Sequence, residues 1–197
     1  MASLSSNKQI TGAVLVGGSS QRFGSQKTKI VVGAERLVER TCRIMKQALG
    51  HEPMLVGGDE LPDVQPHLGP IGGLATALLR AKNQKYSSVI IVACDMPGIT
   101  APLLRWIAHH PSTAYAVVPK VAGRLQPLFA RYLTSFHPLV EEAIACNIRS
   151  LMDLLKRHPP HLLEEEELAR QVESPRQQFV NINTPDDLKK FRKTQAS

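Results

Sequence analysis

Two stretches of this sequence carry residue types at spacings suited to chemistry on phosphates. The first is Gly17-Gly18-Ser19-Ser20-Gln21-Arg22-Phe23-Gly24-Ser25-Gln26-Lys27, directly after an apolar run. A glycine pair at a strand end lets backbone N–H groups approach an anion closely, and Arg22 and Lys27 can neutralise phosphate charge. Such a loop suits a triphosphate. It has neither the G-x-G-x-x-G spacing of a dinucleotide site nor the Gly-Lys-Ser/Thr of a Walker A loop. The second stretch is Cys94-Asp95-Met96-Pro97, which follows Ser87 to Ala93, the most apolar run in the chain. A carboxylate at the carboxyl end of a central strand has few structural reasons to be there, and a hard oxygen ligand in that place can hold Mg²⁺ between phosphate oxygens. The alternative is that Asp95 caps the helix expected near Thr100, but Thr100 itself offers a cap.

Elements that alternate between strand and helix must position these loops. Gln9 to Gly18 predicts a strand and Glu35 to Leu49, with apolar residues at helical spacing, a helix. Strands are expected over Pro53 to Gly58 and Ser87 to Ala93, with a small-residue helix over Gly72 to Lys82 between them. A helix over Thr100 to His110 precedes strands at Tyr115 to Lys120 and Leu125 to Tyr132, joined by a turn at Ala122-Gly123-Arg124 that makes a hairpin and a mixed sheet. Helices are expected over Ser135 to Cys146 and Leu151 to Arg157. Pro159 to Gln178 is a charged connector whose Glu164 to Glu167 run suggests a solvated helix start without chemistry. Phe179 to Ile182 predicts a last strand, and Thr184-Pro185-Asp186-Asp187 a strong helix start: cap, proline and first-turn acids. The pattern is α/β: a three-layer, Rossmann-like doubly wound, mostly parallel but mixed sheet, with ligands beyond the carboxyl ends of the strands.

Composition narrows the partners. The 197 residues suffice for one domain, with 1–8 as a tail and 9–197 as the domain. The polar, Ser-rich start lacks a signal-peptide core, and no run is long and uncharged enough for a membrane span, so a soluble cytoplasmic protein is expected. Three widely spaced cysteines, Cys42, Cys94 and Cys146, fit free thiols rather than a disulfide framework or metal knuckle. Lys and Arg total 24 against 17 Asp and Glu, a net charge of +7 that attracts anions. Aromatic residues are only 5% and the cations are scattered, so nucleic acid is disfavoured and small phosphorylated ligands favoured.

Leu15 to Lys27 (LVGGSSQRFGSQK) resembles the nucleotidyltransferase signature L-A-G-G-x-S-x-R-M-G-x-D-K of the molybdenum cofactor guanylyltransferases, departing at Val16, Phe23 and Gln26. The resemblance implies that Leu15, Val16, Gly17, Gly18 and Lys27 bind the nucleotide, and that Arg22 and Lys27 stabilise charge as pyrophosphate departs. Asp63 to Leu74 (DVQPHLGPIGGL) taken alone is only a stiff turn into a helix, yet it resembles the family's D-x-x-P-G-x-G-P-L-A-G, with His67 for Gly and Gly72 for Ala. This implies that Asp63 accepts hydrogen bonds from guanine N1 and N2 and that Gly72 lies against the nucleotide; Asp59 is the other candidate for reading the base. Asp95 matches the metal-binding Asp of C-D-x-P. Gly123 to Leu128 resembles G-x-x-Q-P-L, and Asn181-Ile182-Asn183-Thr184-Pro185 matches N-x-N-T-P.

From the residues alone, an Asn pair two apart on a strand points both amides to one face, toward a metal, polar substrate groups or strand-end hydrogen bonds. The resemblance assigns Gln126, Arg149, Asn181 and Asn183 to the acceptor side. It further implies GTP and molybdopterin as substrates, Mg²⁺ as cofactor, GMP transfer with release of pyrophosphate, and transient contact with other proteins of cofactor biosynthesis. Rival readings are a related enzyme with another base or acceptor, such as a molybdopterin cytidylyltransferase or a cobamide-precursor guanylyltransferase, and a silent nucleotide-binding module.

Overall fold

An apolar strand covered on both faces is the axis of the molecule. Ser88–Ala93 (β5) is buried throughout, and its side chains alternate between two cores, Val89 and Ile91 in one, Ile90 and Val92 in the other. A strand with no wet face favours apolar residues, hence the unbroken apolar run Val89 to Ala93 after the buried Ser88. The computed structural model that shows this describes residues 10–16, 31–32, 34–57, 62, 68–182 and 184–195.

Ile10–Leu15 (β1) runs parallel to β5 in register from Ile10↔Ser88 to Leu15↔Ala93, and Met54–Val56 (β4) runs parallel along its other side. Beyond β5 come Phe129–Leu133 (β8), antiparallel, and then Ala116–Val121 (β6), antiparallel to β8. Arg124–Leu125 (β7) turns back on β6 through Ala122 and Gly123, both at positive φ (48° and 74°), as a two-residue hairpin turn requires. The sheet order is β4-β1-β5-β8-β6-β7, and His161–Leu163 (β9) pairs parallel with β6. Leu37–Leu49 (α1) and Ala101–Ala108 (α3) cover one face; Pro70–Asn83 (α2), His137–Ala145 (α4) and Leu151–Arg157 (α5) cover the other. The architecture is the expected three-layer α/β fold with a mixed sheet.

The order of the parallel strands decides where a ligand can go. From β1 the chain passes through α1 to β4 on one side, then back across β1 through α2 to β5 on the other. The helices therefore cover the sheet on opposite faces, and the carboxyl end of β1 is the switch point at which ligands of doubly wound sheets bind. Leu15 pairs with both Val56 and Ala93, so the three parallel strands end level with one another.

Several boundaries differ from the sequence expectation for identifiable reasons. Glu35–Arg36 is not helical but a short strand (β3) paired with Val31–Val32 (β2); α1 starts at Leu37, where Glu39 accepts the Arg36 N–H at 3.1 Å. Gly50, at φ 83°, ends that helix by donating its N–H to Lys46 O. The strand expected over Leu125 to Tyr132 is split, because Gln126 to Leu128 forms a turn in which the Phe129 N–H returns to Gln126 O at 3.0 Å. The charged connector contains β9 and the helices Glu165–Ala169 (α6) and Pro175–Gln178 (α7).

Its acidic run is not merely solvated. Glu164 pairs with Lys120 at 3.1 Å, and Glu165 accepts the Ala122 N–H at 2.9 Å and pairs with Arg176, tying the β6–β7 hairpin to α7. Phe179 to Ile182 is not a strand; it is irregular chain with two buried anchors, Phe179 and Ile182. The last helix, Pro185–Gln195 (α8), has the start its sequence announces: the Asp187 N–H donates to Thr184 Oγ1 at 3.1 Å, and the Thr184 N–H to the Asp187 carboxylate at 2.8 Å.

Candidate active site

At the edge where β1, β4 and β5 end, backbone hydrogen bonds join the loops. Val16 donates its N–H to Val56 O at 2.9 Å, and Cys94 donates to Leu15 O at 3.3 Å. Leu15 and Val16 thereby sit between the ends of β4 and β5, with Asp95 one residue beyond Cys94. Because β8 is antiparallel to β5, it begins at this same edge, and Ala93 donates its N–H to Leu128 O at 2.8 Å.

Asp95 is half-buried, and its backbone carbonyl accepts the Ile182 N–H at 2.8 Å. That bond brings the exposed Asn181 beside the Asp95 loop although the two residues are far apart in sequence. The loop 95–100 is held at further points. Arg40, on α1, donates from Nε to Pro97 O at 3.0 Å. A Cβ on Gly98 would lie 2.2 Å from Gln177 O, so loop and α7 meet backbone to backbone. The hydroxyl of Thr100 donates to Gln178 Oε1 at 2.8 Å and makes no capping hydrogen bond to α3, against the cap expected of it. Phe179 packs on Phe129 of β8, ring centroids 5.1 Å apart.

Gln126 is fixed through its backbone: its N–H donates to Pro119 O at 2.8 Å. The turn around it is supported from below by Tyr132, wholly buried, whose hydroxyl donates to Pro127 O at 2.8 Å; burial pushes its phenol up, so it stays a donor. Gly72 is buried in the first turn of α2, its N–H turned to Gly69 O at 3.1 Å; Gly69 is at φ 64°, which admits glycine readily. Pro70 occupies the helix start, where a missing N–H does no harm. Arg149 is exposed on the loop between α4 and α5. Ile144, near the end of α4, lines a small cavity with Leu68 and Gly72, so this loop returns to the same edge on the α2 face, whereas the Asp95 loop packs on the α1 and α3 face.

Leu15, Val16, Asp95, Asn181 and the backbone of Gln126 are therefore brought together, with Gly72 and Arg149 on the opposite side of the sheet edge. Gly17, Gly18, Arg22, Lys27, Asp63, its alternative Asp59, and Asn183 lie outside the described residues. Since Asn181 is in irregular chain, the one-face argument for the two asparagines does not apply. Arg40, Gly98, Thr100 and Gln178 were invisible as site residues in the sequence: Arg40 and Pro97 are 57 positions apart, Thr100 and Gln178 are 78.

A profile of the MobA-like NTP transferase domain matches residues 12–162. The chain belongs to that family. Among curated relatives, a probable molybdenum cofactor guanylyltransferase of Pelotomaculum thermopropionicum is 31% identical, over 93% of this chain and 92% of that one. Another so named, from Carboxydothermus hydrogenoformans, is 29% identical over 94% and 96%. Of solved structures, molybdopterin-guanine dinucleotide biosynthesis protein A from Archaeoglobus fulgidus superposes with a TM-score of 0.78 at 27% identity, covering 94% of this chain and 98% of that one. The 2-C-methyl-D-erythritol 4-phosphate cytidylyltransferase of Thermus thermophilus shares the fold at a TM-score of 0.66 and 17% identity. This chain thus has the nucleotidyltransferase fold of its family.

Chemically, the edge combines a half-buried carboxylate, an exposed asparagine on the adjoining segment and a backbone frame closed by hydrogen bonds. Among the described residues no group of three or more His, Cys, Asp and Glu side chains could hold a metal by itself. One or two protein oxygens with phosphate and water oxygens completing the sphere is how Mg²⁺ is ordinarily held at a nucleotide. Asp95, with Asn181 beside it, fits that arrangement. Among the described residues, too, no helix is long and apolar enough to cross a membrane.

Proposed function

We propose that this nucleotidyltransferase transfers GMP from GTP to the terminal phosphate of molybdopterin, with Mg²⁺ held by Asp95, and so forms the guanine dinucleotide of the molybdenum cofactor. The observation that carries the reading is the meeting of Leu15-Val16, Asp95 and Asn181 at one sheet edge, directly where the glycine-rich loop departs. The names borne by the relatives support GTP and molybdopterin as substrates. The cytosol, where GTP is made and thiols stay reduced, suits such an enzyme; Cys42, Cys94 and Cys146 form no disulfide with one another.

In this reading an oxygen of the molybdopterin phosphate attacks the α-phosphorus of GTP in line. A P–O bond forms to the acceptor, the bond from the α-phosphorus to the α,β-bridging oxygen breaks, and that oxygen leaves with pyrophosphate. A phosphate monoester is already anionic, so the protein's task is alignment and charge neutralisation rather than proton removal. Gly17 and Gly18 bring backbone N–H groups to the triphosphate; Arg22 and Lys27 balance the negative charge on the leaving pyrophosphate. Bound Mg²⁺ supplies further neutralisation at the phosphate oxygens. Asp63, or Asp59, accepts from guanine N1–H and the N2 amino group, donors that adenine and cytosine do not present together. Gln126, Arg149, Asn181 and Asn183 orient the acceptor.

Asp95→Asn tests the assignment. Carboxylate and amide have nearly the same shape, so melting should be little changed, while formation of the dinucleotide, followed by mass spectrometry from GTP, Mg²⁺ and molybdopterin, should fall below detection. Undiminished product would remove the metal role of Asp95.

A further inference from the structure

The Asp95 loop is bound at three points to residues 177–182, the end of α7 and the irregular chain that follows it. Asp95 O takes the Ile182 N–H at 2.8 Å, Gly98 leaves no space for a Cβ against Gln177 O, and the Thr100 hydroxyl reaches Gln178 Oε1 at 2.8 Å. Gln178 is a buried polar residue, 6% exposed, so its amide has little water to turn to. Phe179 and Ile182, at 6% and 0% exposure, hold the segment down in the middle and at the far end of the contact.

We infer that Thr100 and Gln178 are positioning residues that lock the metal loop and the acceptor-side segment into one unit, so that metal binding at Asp95 and acceptor binding at Asn181 strengthen each other. The inference rests on Asp95 as the metal carboxylate. Its physical basis is direct. Moving Asp95 to meet a metal pulls on the Ile182 N–H, and Ile182 adjoins Asn181; the Thr100–Gln178 bond is the second tie that keeps this motion from being absorbed by the loop alone. If metal shifts the segment toward its acceptor-binding arrangement, linkage requires the acceptor to tighten metal binding by the same factor. A segment far in sequence from the first strand thus holds the Asp95 loop at one side, and Arg40 of α1 holds it at Pro97.

Thr100→Val removes the hydroxyl at nearly constant volume and strands the Gln178 amide oxygen; Thr100→Ser restores the donor. Two readouts are needed. In hydrogen exchange followed by mass spectrometry, addition of Mg²⁺ and GTP should protect the peptide spanning 177–182 in the unmodified protein and in Thr100→Ser, and protect it far less in Thr100→Val. In pyrophosphate release, the Mg²⁺ concentration for half-maximal rate should be lower at saturating than at subsaturating molybdopterin. In Thr100→Val it should rise about fivefold and lose that dependence on acceptor, with the rate at saturating metal nearly unchanged. Gln178→Leu should behave like Thr100→Val and serves if that variant does not fold.

A uniform loss of rate with an unchanged Mg²⁺ requirement would make Thr100 merely structural and overturn the inference, as would two variants indistinguishable from the unmodified protein. Asp95→Asn run in parallel separates the causes. If it keeps the normal response to Mg²⁺, the metal assignment fails and this inference with it; if it loses that response while Thr100→Val keeps both readouts, only the coupling fails.

Discussion

Replacing Gly98 by alanine should damage both stability and turnover, because the new methyl group meets backbone. Its Cβ would lie 2.2 Å from Gln177 O and 3.1 Å from both Gln177 C and Gln178 Cα, whereas ordinary contact begins near 3.4 Å. Roughly 1 Å must be made up by moving either loop 95–98 or α7, and no flexible side-chain end is available to yield. Overpacking of this kind costs about 1–3 kcal/mol. For a chain of this size each kcal/mol lowers Tm by about 2–4 °C, so a fall of about 2–12 °C is expected in calorimetry. Whichever side moves, the Ile182 N–H to Asp95 O bond is strained and Asp95 and Asn181 separate. A displacement near 1 Å at a site that works by alignment can reduce the rate about 100-fold. Pyrophosphate release at saturating substrates measures it. A Gly98→Ala protein that melts normally and turns over at the normal rate would refute the reasoning about how this loop is held.

Tyr132→Phe should lower stability by about 1–2 kcal/mol in urea unfolding, since the Pro127 carbonyl loses its donor in a half-buried turn. The same change should raise the apparent KM for the acceptor if Gln126 is placed by that turn; an unchanged KM would release Gln126 from the acceptor site. Stability should also decline below pH about 6.5 because of His110, whose pKa is lowered first by burial and then by the charge of His161, with Arg131 acting the same way and Glu167, 3.6 Å away, opposing them. The unfolded chain takes up this proton before the folded one does, so the loss sets in as pH falls through the unfolded value. His110→Phe should flatten that part of the stability–pH curve measured by denaturant; a curve unchanged in slope would assign the decline to other groups.

What the sequence disclosed follows from what local pattern encodes. β1 and β5 were legible because strands buried on both faces must be apolar runs, and the position of Asp95 followed once β5 was placed. The start of α8 was legible because Thr184 and Asp187 satisfy each other within one turn. β9 was missed because it is three residues long and its pairing with β6 is made over forty positions away, with only Leu163 fully buried to mark it. Phe179 to Ile182 reads as a strand because its residues suit one; in the fold Phe179 and Ile182 serve as anchors, and the Ile182 N–H goes to Asp95 O. The supports of the site, Arg40, Thr100 and Gln178, act across the fold, and no spacing rule connects a side chain on α1 with a carbonyl in the loop after β5.

The central claim is a guanylyl transfer to molybdopterin, and pyrophosphate release measured with each of GTP, ATP, CTP and UTP, with Mg²⁺ and with or without molybdopterin, tests it most directly. Release is expected with GTP and molybdopterin together, and background rates in every other combination. Release with CTP and molybdopterin, or GTP binding without release when the pterin is present, would contradict it.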